Sequence, residues 1–243
     1  MIARILPASV VADESFGSQD ELARLHPEEE AVVASAVEKR RREFAAVRAC
    51  ARRAMVRLGA EPIPLLPGPH RAPQWPAGLV GSLTHCDGYR AAAVAYDSNI
   101  VSVGIDAEPH APLPEEAAEA IMWPAEREQV RKLASWCPDI HADRLIFSAK
   151  ESVYKAWFPL TGRWLGFEDA TVDITVDRAG GAIGCFRAEL LVPGPRVAGE
   201  QIRSFEGMWL VQQQILTTAV TISRGPAPGL PQLDENRSEL HRL

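Results

Sequence analysis

VSVGIDAEPH, residues 101–110, runs small and β-branched residues into two carboxylates two positions apart, with a proline directly after them. Such a run predicts a strand. On a strand, side chains at i and i+2 share a face, so Asp106 and Glu108 project together while Ile105 and Ala107 face the other way. Two carboxylates at one strand end repel each other unless a cation sits between them, although acids so placed also salt-bridge to a nearby helix. The pair alone suggests a metal site without fixing one.

Upstream, LVGSLTH (79–85) and RAAAVAY (90–96) are short runs of the same kind, separated by CDGY and DSN turn chemistry, and with IVSVGIDAE (100–108) they read as an antiparallel meander. Downstream, helical patterning covers 114–120, 124–133 and 142–158, and strands return at 170–176, 182–192 and 207–223. Before the meander stands PIPLLPGPHRAPQWPAG (62–78), whose six prolines forbid helix or central strand and predict an ordered surface connection. Helix then strands, twice over, is an α+β pattern with the makings of two similarly built halves. The last stretch, from 224, has the composition of a frayed tail.

The chain of 243 residues carries a net charge of −6, yet residues 38–58, EKRRREFAAVRACARRAMVRL, hold eight Lys/Arg against two Glu. Ala, Arg, Leu and Met favour helix there, Gly59 offers a stop, and Pro27 with three acids marks an earlier helix start, so two consecutive helices or one bent helix are expected. A solvated face needs fewer cations; a polyanion, either nucleic acid or phosphorylated small molecule, is the natural partner. No apolar run is long enough to span a membrane and the N-terminus lacks signal-peptide character, which predicts a cytoplasmic protein. Four scattered cysteines with no C-x-x-C pair argue against structural zinc and against a disulfide framework.

The segment FSAKESVYKAW (147–157) supplies a third carboxylate, Glu151, between Lys150 and Lys155. Glu151 and Lys155 at i, i+4 could be a surface pair worth about 0.3–0.5 kcal/mol. The helix is otherwise apolar, so a site of oxygen ligands for a hard, phosphate-binding cation is the sharper expectation.

VGSLTHC (80–86), SVGIDAEPH (102–110) and FSAKESVYKAWFPLTGRWLGFEDA (147–170), in that order and with the K-E-[AS]-x-x-K spacing kept, resemble the 4′-phosphopantetheinyl transferases of the surfactin-synthetase and enterobactin-synthetase type, nearest the actinobacterial branch. The resemblance runs from about residue 2 to residue 223. It implies two α+β halves related by a pseudo-twofold, 1–102 and 103–223, with the site at their interface and 224–243 as tail. The activity implied is transfer of phosphopantetheine from coenzyme A to a serine of an apo acyl or peptidyl carrier protein, releasing adenosine 3′,5′-bisphosphate, in fatty-acid, polyketide or nonribosomal-peptide synthesis. Asp106, Glu108 and Glu151 would hold Mg²⁺ or Mn²⁺; Asp106, Glu151 and Lys155 would be catalytic, Glu151 accepting the serine proton directly or through water. Coenzyme A would be held by Arg40, Arg48, Ser82, His85, Lys150 and Lys155. Relatives often carry a lysine where this chain has Pro67, with His70 and Arg71 nearby. The protein would work as a monomer.

Rival classes fit less well. A metal-dependent phosphodiesterase acting on nucleotides also uses acids and a basic groove, but often adds histidine ligands, and here only His110 is near. A nucleic-acid-binding module would leave Asp106, Glu108 and Glu151 repelling phosphates. Adjacent His85 and Cys86 point to opposite faces, no G-x-S-x-G elbow exists, and no glycine-rich phosphate loop appears. The segment after Lys155, with Trp157, Phe158, Trp164, Leu165 and Phe167 around Arg163, is the expected docking surface for an acidic carrier.

Overall fold

The first strand of the computed structural model, β1 (Val11–Phe16), is one the sequence does not announce, because VADESF places two acids in it. Those acids are used: the Glu14 carboxylate accepts from the Ile2 amide at 3.0 Å and the Tyr89 hydroxyl at 2.6 Å, and Asp13 pairs with Arg53 and Arg57. The structure describes residues 1–20, 22–177 and 182–225, so most of the expected tail lies outside the described residues.

The two helices expected upstream are separate. Helix α1 (Pro27–Val32) is short and α2 (Glu38–Leu58) is long, ending where Gly59 takes a left-handed φ of 86°. Buried Glu29 ties them together, accepting from Arg52 and from the Leu65 amide, each at 2.9 Å. The proline-rich connection is ordered: a 3-10 turn at Pro69–Arg71 sits inside a bridge between Pro67 and Pro73. Strands β2 (Leu79–Cys86) and β3 (Tyr89–Tyr96) pair antiparallel as expected, and β1 takes the far side of β3, giving the order β1-β3-β2.

With both edges of β3 occupied, the expected third strand of the meander must go elsewhere. Strand β4 (Ile100–Pro109) instead pairs with β10. The intervening elements are α3 (Glu115–Ile121), α4 (Pro124–Trp136), α5 (Ala142–Thr161), β5 (Ala170–Val176), β6 (Ile183–Leu190), the two-residue strands β7 (Arg196–Val197) and β8 (Glu200–Gln201), β9 (Ser204–Gln212) and β10 (Ile215–Ser223). The second sheet has the antiparallel order β4-β10-β9-β6-β5.

Each half therefore lays one long helix on an antiparallel sheet, the α+β plan expected, though the sheets differ in size and residue 102 falls inside β4. Helix α2 rests on its sheet through Ala51, Ala54 and Met55 against Ala92 and Val94. Helix α5 rests on the larger sheet through Leu145, Ile146, Val153 and Trp157, each worth roughly 1.5–3 kcal/mol of burial. Between the sheets, alanines of β3 meet Ile105 and Ala107 of β4 and Met208 and Leu210 of β9. The alternation read from the sequence holds: 103, 105 and 107 face this core, which leaves 102, 104, 106 and 108 for α5.

Candidate active site

That face of β4 meets α5 in a ladder that steps two residues along the strand for four along the helix. Ser102 Oγ donates to the Ala156 carbonyl at 2.7 Å, Gly104 lies under Ser152, Ser148 Oγ donates to Asp106 Oδ2 at 2.8 Å, and Arg144 donates to Glu108 at 3.0 Å. A Cβ on Gly104 would stand 2.0 Å from the Ser152 carbonyl oxygen, so only glycine permits this approach. The two turns of α5 above it carry Glu151 and Lys155 to the same place.

Asp106 is 5% exposed. Its Oδ1 accepts from Lys155 Nζ at 2.7 Å and Thr84 Oγ1 at 3.3 Å. Lys155 thus pairs with Asp106 across elements, not with Glu151 along its own helix, and also donates to the Ile105 carbonyl at 3.1 Å. Burial, and after it the Asp106 charge, pushes the Glu108 carboxyl up to about 7 despite Arg144. The same two causes raise Glu151, against the pull of Lys155. Among the described residues no three His, Cys, Asp or Glu side chains form a ready-made metal cluster, since Asp106 is engaged by Lys155 and Glu108 by Arg144. The donor chemistry still suits a hard cation: three carboxylates, two of them raised first by burial and then by the charge of the third.

Glu151 and Lys155 open onto a groove of about 370 Å³ between the halves. The facing wall is α2, β2 and the proline-rich turn, contributing Arg40, Phe44, Arg48, His70, Arg71, Trp75, Ser82 and His85. Arg48 is buried, lies 3.8 Å from the Phe44 ring centroid, and donates from Nε to the Leu65 carbonyl at 3.2 Å. It makes no ion pair among the described residues, and burial pulls its guanidinium down to about 10. Arg40 donates to His85 Nε2 at 2.9 Å. An arginine only donates, so that nitrogen accepts and the imidazole is neutral with its proton on Nδ1; burial, and after it Arg40, also lowers its basicity. Ser82 lines the groove while its Oγ accepts from the Ile105 amide at 3.0 Å, stitching β2 to β4.

Lys150 does not line this groove. It is buried, its Nζ donating to the Ile121 carbonyl, Glu126 and the Phe167 carbonyl, each at 2.9 Å, and it borders a smaller hollow beside Glu151. One residue along a helix turns the side chain by about 100°, so Lys150 and Glu151 leave the helix in different directions. Glu126 is itself anchored by the Val172 and Trp123 amides. Arg163 is likewise engaged: it donates to the Pro193 carbonyl at 2.9 Å and sits 4.9 Å from the Trp157 ring centroid. Of the apolar residues around it Trp164 is exposed at 66%, whereas Trp157 and Leu165 are buried. Sequence reasoning missed Thr84, Ser148 and Thr218. Thr84 had a signal, two residues from Ser82 on one strand; Ser148 had one too, one turn before Ser152 on the helix face toward β4.

Comparison with known proteins bears on the same segments. Residues 28–95 match the family model described as 4′-phosphopantetheinyl transferase N-terminal domain, and residues 102–190 match that of the 4′-phosphopantetheinyl transferase superfamily. The chain is 49% identical over 225 residues to 4′-phosphopantetheinyl transferase Svp of Streptomyces mobaraensis, covering 92% of this chain and 89% of that one. It is 49% identical to Npt of Nocardia iowensis over 90% of this chain and 99% of that one, and 44% identical to PptT of Mycobacterium tuberculosis over 91% and 98%. With both halves matched, Glu151 facing a basic groove and Asp106 behind it, the chain belongs to the 4′-phosphopantetheinyl transferase superfamily.

Proposed function

We propose that this transferase binds coenzyme A in the groove between α2 and α5 and passes its phosphopantetheine to a carrier-protein serine at Asp106 and Glu151. The observation that carries this reading is one groove with Arg48, a buried cation without an ion-pair partner among the described residues, on one wall and Glu151 with Lys155 on the other. Arg48 and Arg40 take the 3′-phosphate, and neutral His85 donates from Nδ1 to a phosphate oxygen. Lys155, and the Ser82 hydroxyl proton, take the pyrophosphate. His70 and Arg71 serve the adenosine side in place of the lysine that Pro67 replaces. The uncharged pantetheine arm suits the small apolar hollow beyond Glu151, lined by Tyr154, Trp164, Leu165 and Phe167.

Glu151, raised by burial, is matched to accept the serine proton. The serine oxygen forms a bond to the β-phosphorus, the bond from that phosphorus to the bridging oxygen breaks, and adenosine 3′,5′-bisphosphate leaves with the electron pair. Asp106, Glu108 and Glu151 would hold Mg²⁺, or Mn²⁺ in its place, which neutralises charge on the leaving phosphates when bound. The carrier, acidic on its docking helix, meets the segment after Lys155, with exposed Trp164 as the apolar anchor and Arg163 fixed beneath it. No described helix is long and apolar enough to cross a membrane; the working form is a cytoplasmic monomer, a reading to which four free cysteines lend support.

Intact-mass measurement of apo carrier proteins after incubation with enzyme, coenzyme A and Mg²⁺ tests this. The expected result is one phosphopantetheinyl group added per carrier, absent with chelator. Nucleotide release from coenzyme A without any carrier would point instead to a phosphodiesterase.

A further inference from the structure

We propose that Ser148 and Thr218 are positioning residues for the transfer: a buried hydroxyl pair that fixes the orientation of the Asp106 carboxylate, just behind the groove residues Thr84 and Lys155. The proposal rests on Asp106 being a cation ligand, as read above.

Three elements converge here. Thr218 is the direct cross-strand partner of Asp106 between β10 and β4, and Ser148 descends on both from α5. Ser148 and Thr218 are fully buried. Ser148 Oγ lies 2.8 Å from Asp106 Oδ2 and 3.0 Å from Thr218 Oγ1, and Thr218 Oγ1 donates to the Ser148 carbonyl at 2.9 Å. Proton counting orders the contacts. An ionised carboxylate only accepts, so the single Ser148 proton goes to Asp106. The Thr218 proton then has only Ser148 to go to, at its carbonyl or its Oγ, and either choice braces the Ser148 hydroxyl against turning.

Bracing is needed because a serine inside a helix by default bonds back to its own preceding turn. Ser152, four residues on, does this, donating to the Ala149 carbonyl at 2.8 Å. Ser148 on the same face does not. With Ser148 holding Oδ2 from inside, and Thr84 and Lys155 of the groove wall holding Oδ1, both carboxylate oxygens are gripped and the carboxylate cannot rotate freely. Groups that orient a metal ligand in this manner typically change metal affinity 10–100-fold when removed.

The test is Mn²⁺ binding to the purified protein, read by the paramagnetic resonance signal of free Mn²⁺, without turnover and both with and without coenzyme A. Wild type is expected to bind and Asp106→Ala to lose binding. Ser148→Ala should raise the Mn²⁺ dissociation constant about tenfold or more. Thr218→Val, which keeps the shape and removes the hydroxyl, should move it in the same direction by less, and Thr218→Ser should return it to the wild-type value. Metal-free melting temperatures of all variants should stay within a few degrees of wild type. Wild-type affinity in both Ser148→Ala and Thr218→Val overturns the proposal. If Ser148→Ala does not fold, the Thr218→Val and Thr218→Ser pair decides alone. No Mn²⁺ binding by wild type, or undiminished binding by Asp106→Ala, instead removes the metal reading and this proposal with it.

Discussion

Helices α2 and α5 are 21 and 20 residues long and each lies on an antiparallel sheet, yet they meet the groove in opposite ways. Helix α2 lies on its sheet through small residues such as Ala51 and Ala54 and turns two cations to the groove, half-buried Arg40 and buried Arg48. Helix α5 is locked to β4 by Ser102, Gly104, Asp106 and Glu108, and turns Glu151 and an ion-paired Lys155 to the groove. A polyanion is held by positive charge turned toward it, whereas the bond-making step needs groups whose positions are set beforehand. The difference implies that the two walls can be damaged separately.

Asp106→Ala should strike hardest, lowering transfer by about three orders of magnitude, since a cation site supplies several kcal/mol of transition-state stabilisation. Coenzyme A binding, measured by calorimetry in chelator, should stay within a few-fold of wild type. An equal loss of both would show that the walls are not separable.

Arg48→Ala tests the other wall. A charge-assisted bond is worth about 1.5–3 kcal/mol, so coenzyme A affinity should fall roughly 10–100-fold, while dephospho-coenzyme A, lacking the 3′-phosphate, should lose little. Equal losses would assign Arg48 to helix packing, consistent with its Phe44 contact.

Gly104→Ala sharpens the claim of fixity, because its methyl must push the Ser152 turn off β4. Urea denaturation should show a loss of about 1–3 kcal/mol, accompanied by a fall in transfer that Mg²⁺ does not restore. Wild-type stability would mean that α5 gives way freely.

Glu108, between β4 and α5, should add a pH effect opposite in sign to that of His85 on the other wall, whose lowered basicity favours the folded state as pH rises. The Glu108 carboxyl is raised above its unfolded value, to about 7, so its contribution to stability is present at low pH and lost as pH rises through 7. From pH 5.5 to 8 the metal-free protein should lose on the order of 1 kcal/mol after allowance for partial exposure. Glu108→Gln should flatten this slope in melting-temperature scans, and added Mg²⁺ should offset it. The smallest expected change is from Trp164→Ala: a few-fold rise in the Michaelis constant for the carrier, with a weakening of coenzyme A no larger than that, since Trp164 is one wall of the hollow for its arm. An unchanged carrier constant would take Trp164 out of the docking surface.

The active-site strand was legible because a period of two needs no knowledge of the rest of the fold: Asp106 and Glu108 share a face in any sheet. Which sheet they belong to was not legible. That β4 joins β10 depends on VADESF occupying β3, and VADESF hides because Asp13 and Glu14 are satisfied by partners distant in sequence, Arg53 and Tyr89. The partners of Lys150 were hidden for a related reason: a motif names adjacent residues together, while the helix sends them to different neighbours. Glu126, its partner, lies 24 residues away with no local pattern to mark it. The basic helix was plain from charge alone, but the burial of Arg48 against Phe44 and the Leu65 carbonyl was not.

The gap between β4 and α5 is spanned by longer side chains away from Gly104: bare backbone contact there, aspartate against serine at the next rung, glutamate against arginine beyond. Strand and helix therefore splay like the jaws of a pair of tongs, with Gly104 as the fulcrum. Glu108 lies four residues along, on an arm of about 13 Å. A tilt of α5 about the fulcrum would move Arg144, about two turns away, against Glu108 and leave Glu151, the neighbour of Ser152, nearly where it was, so Glu108 and Arg144 form the soft rung and Glu151 keeps its place beside the pivot.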